Sequence, residues 1–186
     1  DHCFANHDRI AELNLYDGKA DRYFSGSPVP LAEDLRTWSL GETEAISSVT
    51  YPRERPYHVE LSPEKTLPYE LETIEIDTCY NKIFTPEMVA GHCKMASQSL
   101  NSVILSQSMA IKIFGNAESA IGKHMTLMRR LNTSPESTPK TGGIVYTIQA
   151  VMKDIPLNNS LDFMQNIDML TVNDSEGLLQ SPKRYN

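Results

Sequence analysis

Within fourteen residues, Ser102-Val-Ile-Leu-Ser-Gln-Ser-Met-Ala-Ile-Lys-Ile-Phe-Gly115 passes from a strand pattern to a helix pattern. Val103-Ile-Leu105 is a short continuous apolar run, as expected of a buried strand. Ser106 stands at the N-cap position of the helix next to it. Met109 and Ile113, with Ala110 or Phe114, then supply a core-facing stripe, and Gly115 can close the helix in the left-handed conformation. A second stretch, Tyr146-Thr-Ile-Gln-Ala-Val-Met-Lys-Asp-Ile-Pro156, alternates like a strand and ends in a proline turn. Both are packing units rather than reaction centres.

The remaining segments are weaker but orderly. Residues 9–16 read as a first strand closed by the Asp17-Gly18 turn, and residues 25–28 as a loop. Residues 30–40 read as an amphipathic helix with Leu31, Leu35 and Trp38 on one face, and Gly41 as its stop. Residues 44–51, 57–61 and 69–76 are strand candidates. In the last, alternation slips by one near Thr73, which predicts a bulge or a shorter strand. Residues 77–84 form a short helical turn and residues 87–101 a polar connector. The turn at 119–123 leads into a strand at 124–128. Residues 132–143 are polar, broken by proline and ended by Gly142-Gly143, so they read as a long flexible hairpin connection. Residues 161–170 fit a strand or a helix, with the strand preferred, and the chain from Thr171 onward reads as a polar, frayed tail.

Composition narrows the function. The 186 residues suffice for one domain or two small lobes, and 40% hydrophobic with 22% charged residues is ordinary globular usage. A formal net charge of -7 argues against a nucleic-acid partner, because Arg129-Arg130 alone makes no phosphate track. No run of 18 apolar residues is present. The chain starts at Asp1-His-Cys-Phe without an initiator Met, as expected either of a soluble piece of a membrane protein or of a processed or trimmed soluble protein, two readings that composition does not separate.

Candidate chemistry is thin. His2, His7, His58, His92 and His124 never fall at metal-ligand spacings, and Cys3, Cys79 and Cys93 contain no CxxC pair. A Cys79–Cys93 disulfide in an oxidising compartment and two incidental thiols are both open readings. Nucleophile-elbow, Walker A and GxGxxG sequences are absent. Lys153-Asp154 has the makings of an acid–base pair, yet its place before Pro156 favours a surface turn. Trp38 and Phe114 read as core anchors. No catalytic, cofactor-binding or metal-ligating residue is assigned.

One resemblance orders these pieces. Val103-Ile-Leu-Ser-Gln-Ser-Met-Ala-Ile-Lys-Ile-Phe-Gly115, then Ala120-Ile-Gly-Lys123, then Tyr146-Thr-Ile-Gln-Ala-Val-Met-Lys-Asp-Ile-Pro-Leu-Asn-Asn-Ser160 resemble, in this order, the core domain of MacB-like/FtsX-like ABC transporter permeases. Weaker echoes lie at Asp8-Arg9-Ile10, Pro30-Leu-Ala-Glu-Asp-Leu35 and Ile76-Asp-Thr-Cys-Tyr-Asn-Lys-Ile-Phe84. The sequence departs from the pattern at Gln149-Ala150, where a Gly is usual, at Tyr80 for Phe, and at Ala120 for Pro.

The resemblance implies an α+β fold with a porter-like βαβ lobe and a smaller, mostly-β lobe. It implies that residues 1–186 are a single extracytoplasmic domain from between two transmembrane helices of a bacterial inner-membrane permease. The domain would be non-catalytic and bind no nucleotide. It would transmit conformational change and engage cargo or a periplasmic adaptor. ATP hydrolysis would belong to a separate cytoplasmic ATPase subunit or domain, and a second permease copy would complete the machine. The alternatives are a cell-surface ligand- or peptide-binding module and a soluble enzyme.

Overall fold

In a computed structural model, the structure describes residues 7–24, 29–38, 41, 43–93, 96, 99–127, 143–155, 164 and 166–172. The strands are β1 (Leu15–Asp17), β2 (Arg22–Phe24), β3 (Arg53–Ser62), β4 (Lys65–Ile76), β5 (Met88–Gly91), β6 (Ser102–Ser106), β7 (His124–Leu127), β8 (Ile144–Met152) and β9 (Met169–Val172). The helices are α1 (Val29–Thr37), α2 (Tyr80–Ile83) and α3 (Gln107–Phe114). The architecture is a mixed, sheet-dominated α+β fold with few helices.

β1 and β2 form a separate hairpin, while the other strands make one seven-stranded sheet in the order β5-β8-β6-β9-β4-β3-β7. β7 also pairs with β8, so the pairings run β8–β6–β9–β4–β3–β7 and return to β8. The hydrogen bonds show that this is a closed ring. Thr147 N donates to Asn101 O beside β6, while the next amide, Ile148 N, donates to Lys123 O beside β7. Adjacent amides point to opposite edges of a strand, so β6 and β7 flank β8 on different sides. Closure removes the unpaired edges that an open sheet would expose. β6–β8 and β4–β9 are parallel and the remaining pairs antiparallel.

Two cores arise from the two faces. Inside the ring lie Tyr57, Val59, Leu71, Val103, Leu105, Met125, Ile148 and Met169, closed off by Met109, Ala110 and Ile113 of α3. On the outside of β4, β6, β8 and β9, Ile74, Ile76, Ile104, Met152 and Leu170 pack under Tyr80 and Phe84 from α2 and its end. β6 and β9 are therefore buried on both faces, which is why Val103-Ile-Leu105 shows no alternation.

α3 is built as its sequence dictates. Ser106 Oγ accepts a bond from Met109 N at 3.3 Å, and Gly115, at φ 85°, donates its N–H to Ile111 O at 2.9 Å. Leu127 pairs with Ile144, so β7 and β8 are the two arms of a hairpin. Their connection lies outside the described residues up to residue 142, and the expected flexibility of 132–143 with it.

Several boundaries differ from the sequence reading. The first strand shrinks to Leu15–Asp17 after a 3-10 turn at His7–Arg9. Residues 44–51 contribute a single bridge, Val49 to Ile76, flanked by backbone bonds from Thr50 N to Glu75 O and from Asp77 N to Ser48 O. The connector at 87–101 contains β5, unseen because Met88-Val-Ala-Gly91 is too short to alternate clearly. Thr73 pairs in regular register, and the irregularity of β3–β4 falls between Glu60 and Ser62. The slip at Thr73 instead marks where β4 passes from a half-solvated face into two-sided burial at Ile74 and Ile76.

A true irregularity sits in β8, where Val103 pairs with Ile148 but Ile104 with Ala150. The extra residue, Gln149, switches the inward set from Tyr146 and Ile148 to Val151, and sends Ala150 and Met152 to the outer core. Met169 and Leu170 of the last predicted strand open β9, which runs on to Val172, so Thr171 and Val172 are buried in a strand rather than frayed. Residues 161–163, 165 and 173–186 lie outside the described residues.

Candidate functional surface and its buried polar supports

Among the described residues, those singled out for chemistry are spread over separate segments. His58, His92 and His124 are exposed on three different segments, and His124 Nδ1 lies 3.3 Å from Thr147 Oγ1. His2 and Cys3 lie outside the described residues. Lys153 Nζ pairs with Glu87 Oε2 at 3.1 Å, whereas Asp154 Oδ1 accepts a bond from Ser108 N at 3.1 Å. The two side chains are exposed and face different partners. Cys79 and Cys93 are free, half-buried thiols, and burial pushes the Cys93 thiol up. Among the described residues no group of three or more His, Cys, Asp or Glu is placed to hold a metal ion, and no helix is long and apolar enough to cross a membrane.

Trp38 corrects the sequence reading. It is 65% exposed beyond the end of α1, because the helix stops at Thr37 and does not carry the indole round to the face of Leu31 and Leu35. Phe114 is half-buried at the margin of the inner core.

Polar side chains that sequence reasoning left unmarked organise the molecule. Asp77, 3% exposed, accepts bonds from Ser47 Oγ (2.8 Å), Ser48 N (2.8 Å), Cys79 N (2.9 Å) and Arg36 Nη2. A buried carboxylate needs this much compensation, since an uncompensated one would cost several kcal/mol, of order 3–5 on losing its partner. The only hint in the sequence was an Asp directly after an apolar strand end.

Inside the ring, Arg55 pairs with Glu75, whose backbone bonds to Thr50. Next to them, burial pushes the Tyr57 phenol up to about 12, although its hydrogen bond with Thr73 acts in the other direction. Asp168 joins three strands: its Oδ2 accepts from Glu72 N, its N–H donates to Glu72 O, and its carbonyl accepts from Ser106 N. Burial raises its pKa, partly offset by the Glu72 N–H and by Lys112, while Asp154 and Glu54 add to the rise.

The outer face of β3–β4 is acidic. Tyr57 and Leu71 point inward, so Glu54, Glu70 and Glu72 lie outward, with Glu54 directly opposite Glu72. Like charges placed so close repel. Exposed apolar side chains are spread over other elements: Tyr16 and Tyr23 on the β1–β2 hairpin, with ring centroids 5.0 Å apart, Ile111 on α3 and Val145 on β8.

No protein-family model matches this chain, and no curated protein does. Solved structures do. A domain of a putative permease protein from Porphyromonas gingivalis superposes with a TM-score of 0.56 at 21% identity, over 82% of this chain and 55% of that one. The periplasmic region of MacB from Actinobacillus actinomycetemcomitans gives a TM-score of 0.47 at 16% identity, covering 93% and 68%. The extracellular domain of the noncanonic ABC-type transporter YknZ from Gram-positive bacteria gives 0.44 at 15%, covering 80% and 64%. The chain thus spans about half the length of the solved permease domain, and it shares that domain's fold.

Proposed function

We propose that this chain is the extracytoplasmic part of an ABC-type transporter permease, working by shape change and by contact with cargo or an adaptor. The observation that carries the reading is the placing of the ordered motifs. The Val103–Gly115 stretch is β6 and α3 and the Tyr146–Met152 stretch is β8, the paired centre of a fold shared with a solved permease domain. On this reading the β6–α3–β8 crossover belongs to the porter-like lobe, and the rest to a smaller, mostly-β lobe. The whole of residues 1–186 lies between two transmembrane helices, on the periplasmic side of a bacterial inner membrane.

The same reading leaves ATP hydrolysis to a cytoplasmic ATPase subunit or domain and pairs the permease with a second copy. The chemistry supports it. Asp77, Asp168 and Thr50 bond to backbone and to neighbouring side chains, which fixes strands rather than presenting acids, bases or ligands to a substrate. The test is expression of the complete gene product with membrane fractionation and protease access from the outer side. Membrane residence through flanking apolar spans of about 20 residues each, with these residues cleaved from outside, is the expected result. A complete gene product that stays in the soluble fraction would overturn it.

A further inference from the structure

Lys153, Asp154 and Ile155 follow β8 directly, and each engages a different part of the molecule. Lys153 extends the β5–β8 pairing by one step: its N–H donates to Glu87 O at 2.8 Å, and its Nζ meets Glu87 Oε2 at 3.1 Å. Asp154 reaches α3, where its Oδ1 accepts from Ser108 N at 3.1 Å. Ile155 is half-buried against the outer core, the cluster that Met88 of β5 also joins.

The bond to Ser108 has a particular place in α3. The first amides of a helix find no partner within it. Ser106 Oγ serves Met109 N from the next residues of the same segment, whereas Asp154 serves Ser108 N from 46 residues away. A carboxylate there also meets the positive end of the helix dipole. α3 closes the inner core through Met109, Ala110 and Ile113, while β5 adds Met88 to the outer one. The start of α3 and the start of β5 are thus held by adjacent residues of one short turn.

We propose that residues 153–155 are a clasp that couples the seating of α3 over the inner core to the pairing of β5 along the outer one, with Asp154 as the link to α3. Lys153 and Asp154 share one rigid peptide plane, so a shift imposed on either is passed to the other. Coupling of this kind is reciprocal. The inference stands apart from the permease reading, and its test is read on this chain alone.

The experiment is amide hydrogen exchange on the whole chain, with Asp154→Ala, Asp154→Asn, Met88→Ala and the Asp154→Ala/Met88→Ala pair. Ala and Asn both remove the charge that acts on Asp168, but Asn still offers an oxygen to Ser108 N, so their difference isolates the bond. Asp154→Ala should speed exchange in the first turn of α3 by roughly three- to tenfold and raise it in β5 as well, with Asp154→Asn within about twofold of the parent. Met88→Ala, which loosens β5 at its start, should raise exchange in the first turn of α3 by at least about twofold. In the pair that second rise should vanish, because the link is already cut, and β6 and β9 should stay protected throughout. A rise confined to α3 after Asp154→Ala would make Asp154 a local cap and overturn the coupling. Unchanged α3 exchange, effects in the pair that simply multiply, or an equal rise across every strand would overturn it too.

Discussion

Tyr80 is wholly buried, its ring stacked on Phe84 with centroids 4.8 Å apart, and its hydroxyl has no partner among the described residues. Burial drives its pKa far upward, with Cys93 nearby adding to the rise, so the phenol stays neutral. A buried hydroxyl that exchanged water for nothing costs about 1–3 kcal/mol. Tyr80→Phe is therefore expected to raise the unfolding free energy by about 1 kcal/mol, a direction few core substitutions take. Urea denaturation decides it, and a destabilised Phe variant would mean the hydroxyl is satisfied. Asp168 makes a prediction of the opposite kind. Its folded pKa is raised, chiefly by burial, so as pH climbs the unfolded chain gives up this proton before the folded one does. Its contribution to stability is full below the ordinary carboxylate pKa of about 4 and is lost as pH rises through the folded value. Asn keeps the oxygen that accepts from Glu72 N without titrating. The stability advantage of the parent over Asp168→Asn should accordingly shrink with rising pH through that window, and a constant or growing advantage would contradict the assignment.

The best-determined element is α3, because local chemistry and packing agree there. Ser106 caps it, Gly115 ends it, and Met109, Ala110 and Ile113 seal the ring. Ser106→Ala should cost about 1 kcal/mol, the usual value for a lost N-cap, measurable as a lowered denaturation midpoint with unchanged slope. An effect near zero would show that the 3.3 Å bond from Met109 N is not formed in solution. Phe114, half-buried at the rim, should lose less on truncation than the about 3–5 kcal/mol typical of a fully enclosed ring. These same features were legible in the sequence because they are local: a cap, a stripe and a glycine lie within one helix. Strand partners were not legible. Nothing in Met169-Leu-Thr-Val172 says that it lies parallel to β4 and antiparallel to β6. The bulge at Gln149 was equally hidden, since a change of face depends on what covers the second face. Asp77 was missed for a related reason: its donors come from residues 36, 47, 48 and 79, and no spacing rule joins them.

At the scale of the whole molecule, the closed ring leaves little unpaired sheet edge among the described residues for a second copy to extend. The broad solvated face that remains, over β3 and β4, carries Glu54, Glu70 and Glu72. Two copies meeting through it would bring those carboxylates together on chains that each carry a net charge of -7. The large exposed apolar side chains are divided among elements: Leu15, Tyr16 and Tyr23 on the short hairpin, Trp38 at the end of α1, Ile111 on α3 and Val145 at the start of β8. Stable self-association needs a continuous, well-packed patch of roughly 800 Å² per partner, and scattered residues of this kind are normal on a monomer. The chain by itself is thus expected to sediment as a monomer at micromolar concentration. Sedimentation velocity settles the point: a tight dimer in this range would mean that one of these surfaces has a self-complementary shape, and Tyr23→Ser and Trp38→Ser, tested separately, would then show whether the hairpin or the end of α1 provides it.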